Sequence, residues 1–259
     1  MNKNGEIVPL LTFTKSKLLI GILACHHRAP HLQAIRETWV PDIKGRCEYR
    51  FFFGRGSHGD VKQDEVVLGT DDAYRGLAHK VQEACRWAFD KGYDAFFKID
   101  DDGYVRPDRL WFAVNGVWAA HDWVGVKLGA TDQYHTNEYA RGGPGYYLSR
   151  RAMQILASAP TPNPNIPSEY AEDSFVGKIL TSAGLRVVHD DRLRCADLSG
   201  PGRKPRPAGF EAWKRDAPSQ GNAFITTCEF LGSEMYPVHQ HWLDSRQQHT
   251  NLMNKLRIK

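Results

Sequence analysis

The period of the apolar positions changes several times along the first 120 residues, and each change marks an element. Leu18-Leu19-Ile20-Gly21-Ile22-Leu23-Ala24 is an unbroken apolar run between Lys17 and Cys25-His26-His27-Arg28. Such a run, bounded by polar residues, predicts a strand buried on both faces. Pro30 suits the first turn of a helix, and Leu32, Ile35 and Trp39 follow at helical spacing. Tyr49 to Phe53 predicts a second strand, stopped by Gly54-Arg55-Gly56, and Val66 to Leu68 a third. Asp71 or Asp72 is placed to cap a long helix. Its Tyr74, Leu77, Val81, Ala84, Cys85 and Ala88 repeat with the helical period as far as Gly92, with Lys80 opposite that apolar stripe. Ala95-Phe96-Phe97-Lys98-Ile99 predicts a fourth strand, with Asp100-Asp101-Asp102 at its carboxyl end, and Pro107 opens another helix.

Alternating strands and helices predict an α/β domain with a largely parallel sheet. The second half is less regular. Gly142-Gly143-Pro144-Gly145 reads as a turn-forming loop, and four prolines between Pro160 and Pro167 exclude regular structure there. Gly200 to Pro207 is a second such stretch and is basic through Arg203, Lys204 and Arg206. Ser233 to Leu256 predicts a closing helix, with Pro237 expected in its first turn. Residues 1–16 read as a poorly patterned lead-in, and 17–259 as the folded domain.

Composition narrows the class. A chain of 259 residues is one large domain or two small ones. With 41% hydrophobic and 25% charged residues, it is not a disordered chain, a collagen, a coiled coil or a disulfide mini-protein. The net charge of +4 is too small to argue by itself for nucleic acid. The longest apolar run falls far short of the ~20 residues of a membrane span, so no span is expected. No small-residue cleavage site follows that run either. Five widely spaced cysteines, with no CxxC and no glycosylation sequon, predict reduced thiols and a cytoplasmic protein.

The strongest chemical signal is Asp100-Asp101-Asp102. Adjacent carboxylates repel one another unless a cation neutralises them. Oxygen ligands with few neighbours suit Mg²⁺ or Mn²⁺ shared with a substrate phosphate. The carboxyl end of a strand is also where open α/β sheets bind ligands. A solvated acidic loop is the competing reading. Arg28 and Arg36 flank the first strand–helix junction and, with Lys80, could meet phosphate charge or be plain surface charge. Glu172-Asp173 opens an apolar segment, as a helix-start carboxylate pair or as a general base. None of the eleven histidines falls in a zinc spacing.

These pieces resemble glycosyltransferase family 31, the β-1,3-galactosyltransferase and Fringe relatives, in order along the chain. Arg28 with Ile35-Arg36-Glu37-Thr38-Trp39 resembles the family's R…IRxTW motif, and Phe52-Phe53-Gly54 its F-x-G strand end. Asp72-Ala73-Tyr74-Arg75-Gly76-Leu77-Ala78-His79-Lys80 is similar to D-x-Y-x-N-L-x-x-K, with Gly76 in place of Asn. Phe97 to Asp102 resembles K-x-DDD, Gly143 to Ser149 resembles G-x-G-Y-x-x-S, and Glu172 to Gly177 resembles E-D-v-x-v-G.

The resemblance implies a single-domain GT-A fold with a mixed central sheet. Its nucleotide-sugar half would cover about 17–125 and its acceptor half about 126–259. It implies inverting transfer of a hexose (galactose, GlcNAc or glucose) from a UDP-sugar to an acceptor hydroxyl, on a glycan. It puts Arg28, Arg36, Asp72, Tyr74, Lys80, Asp100, Asp101 and Glu172 on the nucleotide-sugar, and Asp173 as the catalytic base. Gly143 and Gly145 would let backbone approach the donor sugar. Asp100 and Asp102 would hold Mn²⁺ or Mg²⁺, with Asp102 the direct ligand. Family members complete that shell with a C-terminal His. Here the corresponding strand, Phe224 to Glu229, has none, which leaves His239, His241, His189 or water. Two rival readings stand beside this one. In one the acceptor is a modified nucleic-acid base, suggested by the basic run at Arg203. In the other the chain is a non-catalytic nucleotide-sugar-binding module, suggested by the missing His. A two-metal nuclease would need more acidic ligands than surround Asp100.

Overall fold

The first apolar run becomes β1 (Leu18–Leu23), buried at every position. Its alternate side chains enter two different cores, which is why the run carries no polar alternation. Leu18, Ile20 and Ile22 pack on one side with Leu32 and Ile35 of α1 (Ala29–Glu37) and Leu110 and Val114 of α3 (Pro107–Val114). Leu19 and Leu23 pack on the other with Val81, Ala84 and Ala88 of α2 (Leu77–Asp90). Met153 of α4 (Arg150–Ser158) and Phe175 of α6 (Glu172–Ser182) complete that second core. The computed structural model describes residues 16–56, 60–130, 137–194, 224–228 and 232–257. The lead-in before residue 16, Cys195, the basic run at Arg203 and Glu229 lie outside the described residues.

The central sheet has seven strands. Besides β1 they are β2 (Glu48–Arg55), β3 (Glu65–Asp71), β4 (Ala95–Asp100), β6 (Trp123–Gly125), β9 (Tyr146–Ser149) and β10 (Val188–His189), in the order β10-β6-β9-β4-β1-β2-β3. β1 runs parallel to β2 and β4, and β2 to β3, while β9 runs antiparallel to both β4 and β6. The α/β class with a mixed central sheet is therefore as expected. Two small sheets flank it: β5 (Tyr104–Val105) with β11 (Thr226–Thr227), and β7 (Lys127–Leu128) with β8 (Tyr139–Ala140). The expected strand at Phe224 is thus the short β11.

Three expectations need correction. Neither Asp71 nor Asp72 caps α2. Asp71 ends β3, a 3-10 turn at Tyr74–Gly76 follows, and α2 starts at Leu77 with no side-chain cap. The turn packs so tightly on β3 that a Cβ on Gly76 would lie 2.4 Å from Asp71 O. Lys80 is not on the solvent side of α2; it is 2% exposed, because the half-buried Asp72 carboxylate pairs with it below. Pro237 lies inside the last helix, α7 (Gly232–Arg257), beyond its first turn. Met235, Val238 and Trp242 are buried around it, and that packing holds the helix together through the missing N–H.

Pro167 opens α5 (Pro167–Tyr170) at a position suited to proline, and residues 159–166 before it are irregular, as expected. Among the described residues no helix is long and apolar enough to cross a membrane.

Candidate active site

The register that pairs Leu23 with Asp100 and with Phe52 brings the carboxyl ends of β1, β2 and β4 to one rim. Asp100 is the last residue of β4, and Asp101 and Asp102 form a turn closed by Gly103 N–H donating to Asp100 O at 3.1 Å. Arg28, in the 3-10 turn His26–Arg28 after β1, reaches over that turn. Its Nη1 donates to Asp101 Oδ1 at 2.9 Å and to Asp102 Oδ2 at 3.1 Å. Asp101 is 5% exposed. Burial drives its carboxyl up to about 7; Arg28 opposes this, while Asp102 and Asp100 add to it. The repulsion expected of three adjacent carboxylates is present, and one guanidinium offsets part of it.

A second cluster lies behind Asp100. The Lys98 ammonium, fully buried in β4, meets Asp100 Oδ1 at 2.8 Å, Glu172 Oε2 at 3.0 Å and Gly142 O at 3.1 Å. Glu172 also accepts from the Tyr146 hydroxyl. Burial opposes the charge on Lys98, yet Asp100 and Glu172 together hold the ammonium above its ordinary range. Burial raises the Glu172 carboxyl, with Lys98 working against it. Glu172 is thus spent on protein donors and stands back from solvent. Sequence reasoning assigns no role to Lys98 or Tyr146. The signal that could have found the first is a lysine inside an apolar strand, which requires a partner.

Asp72 is likewise enclosed. Gly54 N–H donates to Oδ1 at 2.8 Å, His26 N–H donates to Oδ2 at 3.2 Å, and the Lys80 ammonium lies against Oδ1. Lys80 also donates to Ala24 O at 2.9 Å. Together they pin the ends of β1 and β2 to α2, under the rim. Arg36 is not brought to this rim. It forks onto Asp64 at 2.8 and 3.0 Å and bonds Glu65 at 2.7 Å, at the opposite end of β3 from Asp71. Tyr74 does reach the rim. It is 71% exposed, packs edge-on to Tyr170 with ring centroids 6.2 Å apart, and lies in the fields of Asp173, Glu172 and Asp100.

Asp173 is the second residue of α6, half-buried, and its Oδ1 accepts from Ser174 N–H at 2.9 Å. Gly145 is required by the fold itself. Its φ is +83°, and a Cβ would lie 2.5 Å from Lys98 O and 2.8 Å from the Phe97 ring. Gly143 is half-exposed and faces Cys228 Sγ. His239 is turned to Tyr104, with 2.9 Å between Nδ1 and the hydroxyl, and lies 4.0 Å from Asp42. His189 accepts from Lys127 N–H at 3.1 Å at the far edge of the sheet.

Residues 31–128 match the Galactosyltransferase family. A probable beta-1,3-galactosyltransferase 12 of Arabidopsis thaliana is 27% identical, over 75% of this chain and 60% of that protein. The chain is GT31-like. It spans less than two thirds of that plant relative's length. The matched segment of this GT31-like chain holds Arg36, Asp72, Tyr74, Lys80 and Asp100 to Asp102; Arg28, the glycine loop, Glu172 and Asp173 lie outside it. Loose similarity extends to a glycosyltransferase involved in glycosylation of the major capsid of PBCV-1 (TM-score 0.44, 13% identity, 87% of this chain and 99% of that one). It extends also to A197 from STIV (TM-score 0.37, 14% identity, 67% of this chain and 81% of that one).

The carboxylates at this rim do not form a closed cage for a cation. Among the described residues no group of three His, Cys, Asp or Glu side chains is placed to hold a metal alone. Asp100 and Asp102 each give one oxygen to a protein cation, and both keep a partly exposed carboxylate. One or two carboxylates plus substrate phosphate oxygens and water form an ordinary shell for Mg²⁺ or Mn²⁺. The residues therefore fit such an ion bound together with a diphosphate.

Proposed function

We propose that the chain is a metal-dependent inverting glycosyltransferase that moves a hexose from a UDP-sugar to an acceptor hydroxyl. The observation that carries this reading is that the Lys98 ammonium bonds both Asp100, at 2.8 Å, and Glu172, at 3.0 Å, so that the end of β4 meets the start of α6, which bears Asp173. The Galactosyltransferase match over the β4 end supports the same reading.

In this account Asp102 and Asp100 would hold Mn²⁺ or Mg²⁺ against the donor diphosphate. The ion would supply positive charge that stabilises the departing diphosphate. Arg28 adds a fixed guanidinium beside Asp101 and Asp102, able to turn toward phosphate oxygens when a cation takes over those carboxylates. Asp173 takes the proton of the acceptor hydroxyl as that oxygen attacks the anomeric carbon from the face opposite UDP. One-step inversion needs only that one base. Asp72 and Lys80 act from beneath the rim, holding the β1 and β2 ends that carry Arg28 and Gly54. The acceptor is a glycan hydroxyl in this reading. Cys25, Cys47, Cys85 and Cys228 are thiols rather than disulfides, which supports a reducing compartment such as the cytosol.

Asp173→Asn tests the assignment. UDP affinity should stay within about threefold, while turnover of the UDP-hexose falls by roughly 10²–10⁴-fold, the range for a lost general base. Wild-type turnover in that variant would reduce Asp173 to a helix-start carboxylate.

A further inference from the structure

One buried ammonium joins the two sides of the candidate site. Lys98 and Asp100 lie two apart on β4 and so share a face of the strand. An ammonium has three N–H donors. On Lys98 they are taken by Asp100 at 2.8 Å, Glu172 at 3.0 Å and Gly142 O at 3.1 Å. The far end of the link is equally enclosed. The second oxygen of Glu172 accepts from Tyr146, which is itself buried in β9. Gly142 leaves the pair no slack, because a Cβ there would lie 2.4 Å from Glu172 Oε2 and 3.1 Å from Lys98 Nζ.

Glu172 and Asp173 are consecutive at the start of α6. Consecutive helical side chains diverge by roughly 100°. With Glu172 pinned inward by Lys98 and Tyr146, Asp173 is turned away from that buried link and is half-exposed. The Lys98 ammonium thus ties the start of α6 to the β4 end, alongside the core packing of Phe175 and Val176 further along the helix. Stability gives no reason to keep such a pair, since apolar residues of similar volume often serve as well or better.

Building on the transferase reading, we propose that Lys98 is a positioning residue, which holds the Asp173-bearing helix at a fixed spacing and rotation from the Asp100–Asp102 turn. It touches neither substrate. Its partner Glu172 belongs to the same link rather than to the nucleotide-sugar contacts.

The test is the double variant Lys98→Met with Glu172→Gln, which removes both buried charges and keeps an acceptor for Tyr146. The melting temperature should stay within a few degrees of wild type, and UDP affinity within about threefold. The kcat for UDP release from the UDP-hexose that wild type turns over should fall on the order of 10²-fold, as for a misplaced reacting group. Amide exchange at residues 171–176 should quicken. Wild-type kcat in the double variant would make the pair merely structural and overturn the proposal. A loss of UDP affinity in step with kcat would overturn it as well, since Lys98 would then act on the donor. If wild type neither binds UDP nor turns over any UDP-hexose, the transferase reading itself fails. The positioning claim is then judged by exchange alone, and wild-type protection at 171–176 in the double variant overturns it.

Discussion

The Lys80 ammonium lies against the Asp72 carboxylate, 2% exposed, beneath the rim where β1, β2 and α2 meet. Asp72→Asn leaves that ammonium without a counter-charge and keeps one acceptor oxygen where the carboxylate offers two, to Gly54 and to His26. Breaking a buried pair from one side costs about 3 kcal/mol or more, so urea unfolding should show a loss of that order. Adding Lys80→Met should recover part of it.

The same pair has a defined pH dependence. Burial alone would raise Asp72, but the bonds from Lys80, Gly54 and His26 hold its carboxyl below the ordinary 3.8. A depressed folded value means the contribution is complete above about pH 4 and is lost as pH falls through that lower value. Acid unfolding of Asp72→Asn should lack this component.

Asp101 carries the opposite sign. Its carboxyl, raised by burial to about 7, keeps its proton in the folded state where the unfolded chain has already lost it near 3.8. Without divalent metal, stability from this group should decline as pH rises from about 4 to 7 and stay low above that. Asp101→Asn should flatten that slope and stabilise the protein at pH 8 in EDTA, by roughly 2 kcal/mol after allowance for the exposed side of Arg28. A steeper fall in the variant would contradict the account.

Gly145→Ala probes the loop that supports the Lys98 link. At φ +83°, with Lys98 O 2.5 Å from where the new Cβ would sit, the variant must strain the backbone and push β4. A loss of about 2 kcal/mol or more is expected in thermal or urea unfolding. Gly184→Ala at φ +81° has open space around its Cβ and should lose only about 1 kcal/mol.

Much of the fold was legible because β1 is buried on both faces and is an unbroken apolar run, and β2 and β4 carry the buried apolar stretches Phe51–Phe53 and Ala95–Phe97. The insertion of β9 between β4 and β6 was not, because antiparallel pairing of a four-residue strand across the sheet leaves no local pattern. The burial of Lys80 was hidden for a related reason. Helical periodicity marks it polar, and only the fold of the β3–α2 turn shows that Asp72 waits below it. Within the site, Asp100 to Asp102 stood out because three charges in a row demand an explanation. Lys98 sits inside a motif, yet its role depends on Glu172, 74 residues away. Arg36 satisfies the motif while its guanidinium serves Asp64 and Glu65, so matching a residue type did not establish its contact. His239 lies with its Nδ1 2.9 Å from the Tyr104 hydroxyl, a pairing that sequence spacing does not reveal.

The most direct test of the central claim is calorimetric titration of UDP into the wild-type protein and into Asp102→Asn, each with Mn²⁺ and with EDTA. The account predicts UDP binding that Mn²⁺ tightens by at least about tenfold in wild type, a gain of roughly 1.4 kcal/mol, and no such gain in Asp102→Asn. Absence of UDP binding to wild type under both conditions, or an equal Mn²⁺ effect in the variant, would contradict it.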